Sequence, residues 1–313
     1  MVTLIQLEYV IAVDTYRHFA TAAQKCFVTQ PTLSMQIKKL EEQLGVIIFD
    51  RSRHPVIPTD IGSKVIDQAR LILRDTEKIN EIINSFQEKI TGELKIGIIP
   101  TLAPYLLPKF IGNVVRKYPG INIQIEEIIT EDIVKKLKTD LLDVGILVTP
   151  LKDADITESP LFYEEIKIYA NQDHGFSQND GINLNEIASP DLWMLHEGHC
   201  FRSQVINLCS NINSTENNLP FQYESGSLET LKKMVDTEGG FTLLPELAFN
   251  GQNDNIYSRI KHFKNFKPLR EVSLVTVRNY AKSNILNILS DEISKVLPKE
   301  MYDKKRGIVI EWR

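Results

Sequence analysis

Between Thr59 and Ile90 the sequence carries an apolar stripe, Val65, Ala69, Ile72, Thr76, Ile79, Ile83, Phe86 and Ile90, in alternating steps of four and three. A seam of that period predicts one long helix lying against a second helix along its length. A lone helix with such a stripe ordinarily buries it in its own domain. Here the stripe separates a short, partly basic N-terminal stretch from a long remainder that alternates strands and helices. It is therefore read as a dimerisation linker over residues 61–90, dividing the chain into residues 1–60, 61–90 and 91–313.

In the first of these, Phe19–Lys25 reads as a compact Ala-rich helix, Cys26–Thr32 as a turn and Leu33–Gly45 as a second helix. Leu33, Ile37, Leu40 and Leu44 repeat at helical spacing and are expected to face a core, with Ser34, Gln36, Lys38 and Lys39 outward. Thr29 suits an N-cap and Pro31 the first helical turn. Val46–Phe49 and Val56–Thr59 then flank a basic tip of Arg51, Arg53 and His54, which predicts a two-stranded wing with cations suited to phosphate oxygens. Any one of these cations is equally an ordinary solvated charge. The combination is a helix-turn-helix with a wing. Because the whole chain carries a net charge of −5, DNA affinity has to come from this local patch.

These residues resemble the LysR-type transcriptional regulators. The resemblance rests on Phe19 to Lys25, Thr29-Gln30-Pro31-Thr32-Leu33-Ser34, Lys39-Leu40-Glu41, Leu44-Gly45, Phe49-Asp50-Arg51 and Thr59-Asp60-Ile61-Gly62. It implies a winged helix-turn-helix that binds double-stranded DNA through Thr29, Gln30, Pro31, Thr32, Ser34, Gln36, Lys38, Lys39, Arg51 and Arg53.

Beyond Thr91-Gly92, strands are predicted at Glu93–Ile99, Ile121–Ile125 and Asp143–Val148, with helices at Tyr105–Tyr118 and Ile133–Lys138 between them. Such alternation implies parallel βαβ units, whose ligands sit beyond the strand carboxyl ends. Thr101 and Thr130 occupy those ends, although Thr130 equally suits the cap of the next helix. A second α/β lobe follows from Leu161, with strands at Ile166–Ala170, Trp193–Leu195 and Gly239–Pro245 and a helix from Ser227. Val272–Val277 is a strand returning to the first lobe, followed by a helix from about Ser283 to Val296. The segment through Trp312-Arg313 has no clear reading.

The Trp193–Leu195 strand runs into Glu197-Gly198-His199-Cys200-Phe201-Arg202, and a second cysteine follows at Cys209. Residues 201–208 read as a short helix with Gly198 and His199 forming the turn into it. A cysteine at a helix N-terminus, beside an imidazole and a guanidinium, is expected to favour the thiolate. Two other readings stand beside that one. Both cysteines suit inert packing thiols, and His196, His199, Cys200 and Cys209 are a loose metal-ligand set without the tight spacing of a structural zinc site. A folded helix keeps residues nine apart at about 13 Å, whereas a disulfide needs Cα atoms within about 7 Å. The pair therefore either never bonds or bonds through refolding. With three cysteines in all, a secreted disulfide framework is not expected. Met1–Glu8 lacks a signal-peptide pattern, and no run approaches the roughly 18 apolar residues of a membrane span. The expected location is the cytoplasm.

Two lobes crossed twice by the chain resemble the LysR effector domain, which is similar to periplasmic binding proteins. Lobe I is expected over about 91–162 and 268–300, and lobe II over about 163–267. Within the family the resemblance is to its OxyR-like, hydrogen-peroxide-sensing branch. It is carried by Gly198-His199-Cys200-Phe201-Arg202 with Cys209, Ile98-Ile99-Pro100-Thr101, Pro104 to Pro108, Ser227 to Leu231, Met234-Val235 and Thr242 to Pro245. That resemblance implies a peroxidatic Cys200, a resolving Cys209, and peroxide held by Thr101, Thr130, His199, Arg202 and Arg270. It further implies sulfenic acid chemistry ending in a disulfide, a homotetramer built from dimers, contact with RNA polymerase, and a glutaredoxin or thioredoxin as reductant. No cofactor or metal is implied, nor enzymatic turnover. Where the branch commonly has Asp after the Arg, this chain has Ser203. The rivals are a LysR-type regulator that binds a small metabolite in the inter-lobe cleft with inert cysteines, and a peroxidase.

Overall fold

The computed structural model describes residues 1–86, 91–179, 181–208, 225–249, 258–278 and 283–312. The chain divides near residue 90 into two compact units.

The N-terminal unit opens with α1 (Leu4–Tyr16), started by a reciprocal capping box between Thr3 and Gln6. Sequence reading did not identify this helix. Next come α2 (Phe19–Lys25) and α3 (Gln30–Leu44). Thr29 caps α3 as expected, its hydroxyl accepting from the Thr32 amide. Leu33, Ile37 and Leu40 are fully buried. Leu44 departs from the expectation and is 41% exposed, because the chain leaves the helix in a left-handed turn at Gly45. The wing is β1 (Phe49–Asp50) paired antiparallel with β2 (Ile57–Pro58). It leads into α4 (Asp60–Phe86). A side chain at Gly62 would collide with the Ile48 carbonyl, so glycine lets the long helix start directly on the wing.

The first turns of α4 belong to this core. Ile66 and Ala69 are buried in it, and the buried Arg70 meets Asp14 of α1 at 2.8 Å. Farther along, Ile72, Ile79 and Ile83 of the heptad stripe stand exposed in the single chain. Phe86 and Ile90, the last stripe positions, lie outside the residues whose side chains are described.

The C-terminal unit contains β3 (Gly92–Ile98), α5 (Ala103–Lys117), β4 (Ile121–Glu127), α6 (Thr130–Lys138) and β5 (Val144–Thr149). The chain then forms β6 (Ile156–Ala170), β7 (Leu192–Trp193), α7 (Cys200–Leu208), α8 (Leu228–Glu238), β8 (Phe241–Pro245) and β9 (Ile260–Lys261). It ends with β10 (Pro268–Val277), α9 (Ser283–Ser294) and β11 (Ile308–Val309). Among the described residues the strand order is β4-β3-β5-β10-β6-β8-β7, with β11 beside β10 and β9 beside β6. β3, β4 and β5 are parallel, as alternation requires. β10 is antiparallel to both β5 and β6, since it returns from the other lobe without a crossover helix. β6 begins ten residues before the predicted strand. Thr157, Glu158, Ser159 and Pro160 hide its first half from a hydrophobic reading, and Pro160 sits at a register shift, where a strand tolerates proline.

Two apolar cores result. One gathers Leu94, Ile96, Phe110, Val144, Val275 and Leu289 around β3–β5, and the other Ile168, Trp193, Phe201, Leu231 and Phe241 around β6–β8. No described helix is long and apolar enough to cross a membrane.

Candidate functional site

Cys200 is the first residue of α7. Gly198 reaches the helix start through a left-handed backbone, φ +93°, which favours glycine. The helix belongs to the second lobe, where Phe201, Val205 and Leu208 enter the core. Cys200 does not follow them. Its buried side chain packs into the core of the first lobe, so the sulfur lies where the lobes meet.

The electrostatics there differ from the simple helix-end expectation. Burial is the largest influence and pushes the Cys200 thiol above its ordinary range. The Arg270 guanidinium, the Thr130 hydroxyl and the amides of Phe201 and Cys200 pull the other way. The resting group is thus a free, protonated thiol facing a preassembled set of anion stabilisers. The helix N-terminus contributes, but desolvation outweighs it.

Arg270 organises the site. It sits on β10 directly opposite Glu164 on β6, and both are fully buried. Its Nε donates to Glu164 Oε1 at 2.7 Å, its Nη1 to Thr101 Oγ1 at 2.9 Å and its Nη2 to the Thr101 carbonyl at 3.0 Å. The guanidinium lies 5.3 Å from the centre of the Phe201 ring. Burial pushes the Glu164 carboxyl up, against the pull of Arg270 and the Leu247 amide. The Leu247 N–H donates to Glu164 Oε2 at 3.1 Å. The cation is fixed on all sides.

Thr101 lies in the turn after β3, and Thr130 is the first residue of α6. Both are buried, and their strands are parallel neighbours. Thr130 is not the cap: that position is Ile129, which makes no side-chain cap bond. Thr130 Oγ1 has no partner of full hydrogen-bond geometry among the described residues, while it acts on the Cys200 thiol to favour the anion.

His199 is buried. Its Nε2 is 3.3 Å from His196 Nε2. Burial, then the neighbouring imidazole, push its pKa down, so it is neutral near pH 7. Arg270 is the cation whose charge acts on the sulfur; Arg202 sits two residues after Cys200, on the same helix. Its Nη1 donates to the Leu195 carbonyl at 2.9 Å, which fixes α7 to the strand before it. Cys209 lies outside the described residues. Among those residues, no three His, Cys, Asp or Glu side chains gather as metal ligands.

Sequence reading missed Glu164 and Tyr105. A Glu-Glu pair inside the apolar run Phe162–Ala170 was the available signal for the first. Tyr105 packs against both cores, and burial followed by the Glu229 charge pushes its phenol far up. Nothing local marked it.

In the N-terminal unit, Gln30, Pro31, Lys38 and Lys39 are exposed along α3, with Thr32, Ser34 and Gln36 half-buried. Thr29 is also exposed, with its hydroxyl 2.8 Å from that of Thr32. Arg51, also exposed, folds back over the domain: Nη1 donates to Ser34 Oγ at 3.1 Å and Nη2 to Glu41 Oε2 at 2.9 Å, with the guanidinium over Phe19. Arg53 and His54 remain exposed at the wing tip, with Arg53 Nε 3.5 Å from Asp50. Met35, 62% exposed on the same helix face, went unnoticed in the sequence. Cys26 packs at the edge of this unit's core.

A helix-turn-helix head followed by a two-lobed effector unit defines a class of bacterial regulators. Residues 4–63 match the bacterial regulatory helix-turn-helix protein, lysR family, and residues 87–297 match the LysR substrate binding domain. The chain belongs to the LysR family. Its relatives include a hydrogen peroxide-inducible genes activator of Haemophilus influenzae, 33% identical over 93% of this chain and 97% of that protein. The DNA-binding transcriptional dual regulator OxyR of Escherichia coli is 37% identical over 77% and 78%. A full-length OxyR variant from Pseudomonas aeruginosa superposes with a TM-score of 0.81 at 31% identity, covering 97% of this chain and 98% of that one.

Proposed function

We propose that the chain is a transcriptional activator of the OxyR type, which binds double-stranded DNA through α3 and the wing and senses hydrogen peroxide at Cys200. The observation that carries this reading is the Cys200 thiol, buried between lobes and facing both the Arg270 guanidinium and the otherwise unpartnered Thr130 hydroxyl. An inert packing cysteine has no need of a buried cation held in place by Glu164 and Thr101. The similarity to peroxide-inducible activators over nearly the whole chain supports the same conclusion.

Peroxide is small enough to be gripped by hydroxyls and amides alone. Thr130, Thr101, His199 and the α7 amides orient it, with Arg202 on the same helix, and Arg270 supplies the positive charge that acts on Cys200. The sulfur attacks one peroxide oxygen, the O–O bond breaks, an S–O bond forms, and the thiol proton leaves with the second oxygen as water. Cys209 then attacks the sulfenic sulfur and a second water departs. One peroxide and two thiols become one disulfide and two waters.

For the two sulfurs to meet, α7 has to unwind, because its nine residues span about 13 Å. Unwinding repacks the lobe interface and is read out through the linker helices in a homotetramer, a dimer of dimers, in contact with RNA polymerase. A cytoplasmic thiol reductant, glutaredoxin or thioredoxin, resets it. The protein consumes peroxide stoichiometrically and is a sensor, not an enzyme. In vitro transcription with full-length Cys200→Ser tests this: DNA binding persists while peroxide no longer changes transcript yield. An undiminished peroxide response in that variant would overturn the proposal and favour a metabolite-operated regulator.

A further inference from the structure

Residues 304–312 fasten onto the helix that carries Cys200. Arg306 anchors the segment, its Nη2 donating to the Tyr163 carbonyl at 2.7 Å and pairing with the Glu246 carboxylate. β11 then adds to β10 in parallel at Pro268 and Leu269, one residue before Arg270. Beyond β11, the Ile310 carbonyl accepts from Gln204 Nε2 at 2.8 Å and the Glu311 carbonyl accepts from Asn207 Nδ2 at 2.8 Å. Both donors are on α7, three residues apart on one face.

The same few residues also hold both lobes. The Glu311 carboxylate meets Lys152 Nζ, just after β5, at 2.6 Å. Ile310 packs against the core of the second lobe and Trp312 is buried in that of the first. Gln204 is fully buried, so its bond to Ile310 is not readily exchanged for one to water.

We propose that residues 308–312 are a strap that keeps α7 folded, with Gln204 and Asn207 as positioning residues that set how readily Cys200 leaves its pocket. The second half of this inference rests on the disulfide step proposed above; the first half does not. Unwinding α7 separates Gln204 and Asn207 from the fixed carbonyls, so both bonds break together. An ordinary intramolecular hydrogen bond is worth about fivefold in such an equilibrium, and two about twenty-fivefold. The strap therefore delays the condensation step while leaving the attack on peroxide, which uses the folded helix, unchanged.

The test uses full-length Asn207→Ala, Gln204→Met and the double variant. Hydrogen exchange of amides 201–208 in the reduced protein is expected to quicken about fivefold in each single variant and about twenty-fivefold in the double. Dimedone trapping in a Cys209→Ser background should give an unchanged rate of sulfenic acid formation. Formation of the Cys200–Cys209 bond should quicken by the same factors as exchange. Unchanged exchange in the double variant overturns the strap, and so does a sulfenic acid rate that falls in step with faster exchange. Should Gln204→Met fail to fold, exchange in Asn207→Ala alone decides. If the unaltered protein forms no Cys200–Cys209 bond, the sensing mechanism falls, and hydrogen exchange still decides whether the strap holds α7.

Discussion

Replacing Arg270 by methionine separates the structural work of the buried guanidinium from its chemical work. The substitution leaves Glu164 fully buried with only the Leu247 amide as a recorded partner, and Thr101 without its donor. Removing one partner of a buried ion pair costs about 3–5 kcal/mol. For a unit of this size that is a fall of roughly 6–20 °C in the melting temperature. The double variant Arg270→Met with Glu164→Leu removes both charges, and exchange of a buried pair for apolar groups is often nearly neutral. It should recover most of the lost stability. It should not recover the reaction: without the cation that offsets burial at Cys200, peroxide attack is expected to slow about a hundredfold, the usual scale for one preorganised charge at a reacting centre. Thermal melts of the effector unit and stopped-flow oxidation of Cys200 measure the two effects. A double variant that melts normally and reacts as fast as the unaltered protein would refute the role given to Arg270.

Other outcomes follow from the same geometry. Because burial raises the Cys200 pKa, the thiolate is the minor form near neutrality; the oxidation rate should climb with pH, close to tenfold per unit below the folded pKa, and a flat profile between pH 6 and 8 would contradict this. The matching stability term is full below the ordinary thiol pKa and is lost as pH rises through the raised one, so Cys200→Ala should flatten the alkaline decline in melting temperature. Thr130→Val deletes a buried hydroxyl that caps nothing; stability should hold within about 1 kcal/mol while peroxide oxidation slows. Lys39→Ala, exposed on α3, should lower the salt dependence of DNA binding by about one phosphate contact. Arg51→Ala, whose donors are used on Ser34 and Glu41, should loosen the wing and change that slope less.

Periodicity made α3, α4 and the βαβ half of the effector legible, because repeats of 3.6 and 2 residues are local properties. Leu33, Ile37 and Leu40 fell on the core for that reason. α1 escaped because its apolar residues give little amphipathic contrast. β6 was shortened because its first half is polar and interrupted by Pro160, and the antiparallel setting of β10 depends on a return path through the other lobe. In the site, Thr101 and Thr130 were found from their places after strands. Arg270, the partner of Thr101 from 169 residues away, was named only through family resemblance. Arg202, two residues after Cys200, is visible in the sequence; its tether to the Leu195 carbonyl is a tertiary fact that no local spacing encodes. The expected thiolate failed for a related reason: a helix end is visible in sequence, but the depth at which it is buried is not.

Peptide mapping by mass spectrometry after adding one equivalent of hydrogen peroxide to the full-length reduced protein tests the central claim most directly. The account predicts that one peroxide removes two thiols, that Cys200 and Cys209 leave in a single cross-linked peptide, and that Cys26 stays reduced. Recovery of Cys209 as a free thiol, with Cys200 unmodified or carried on to sulfinic acid, would contradict it.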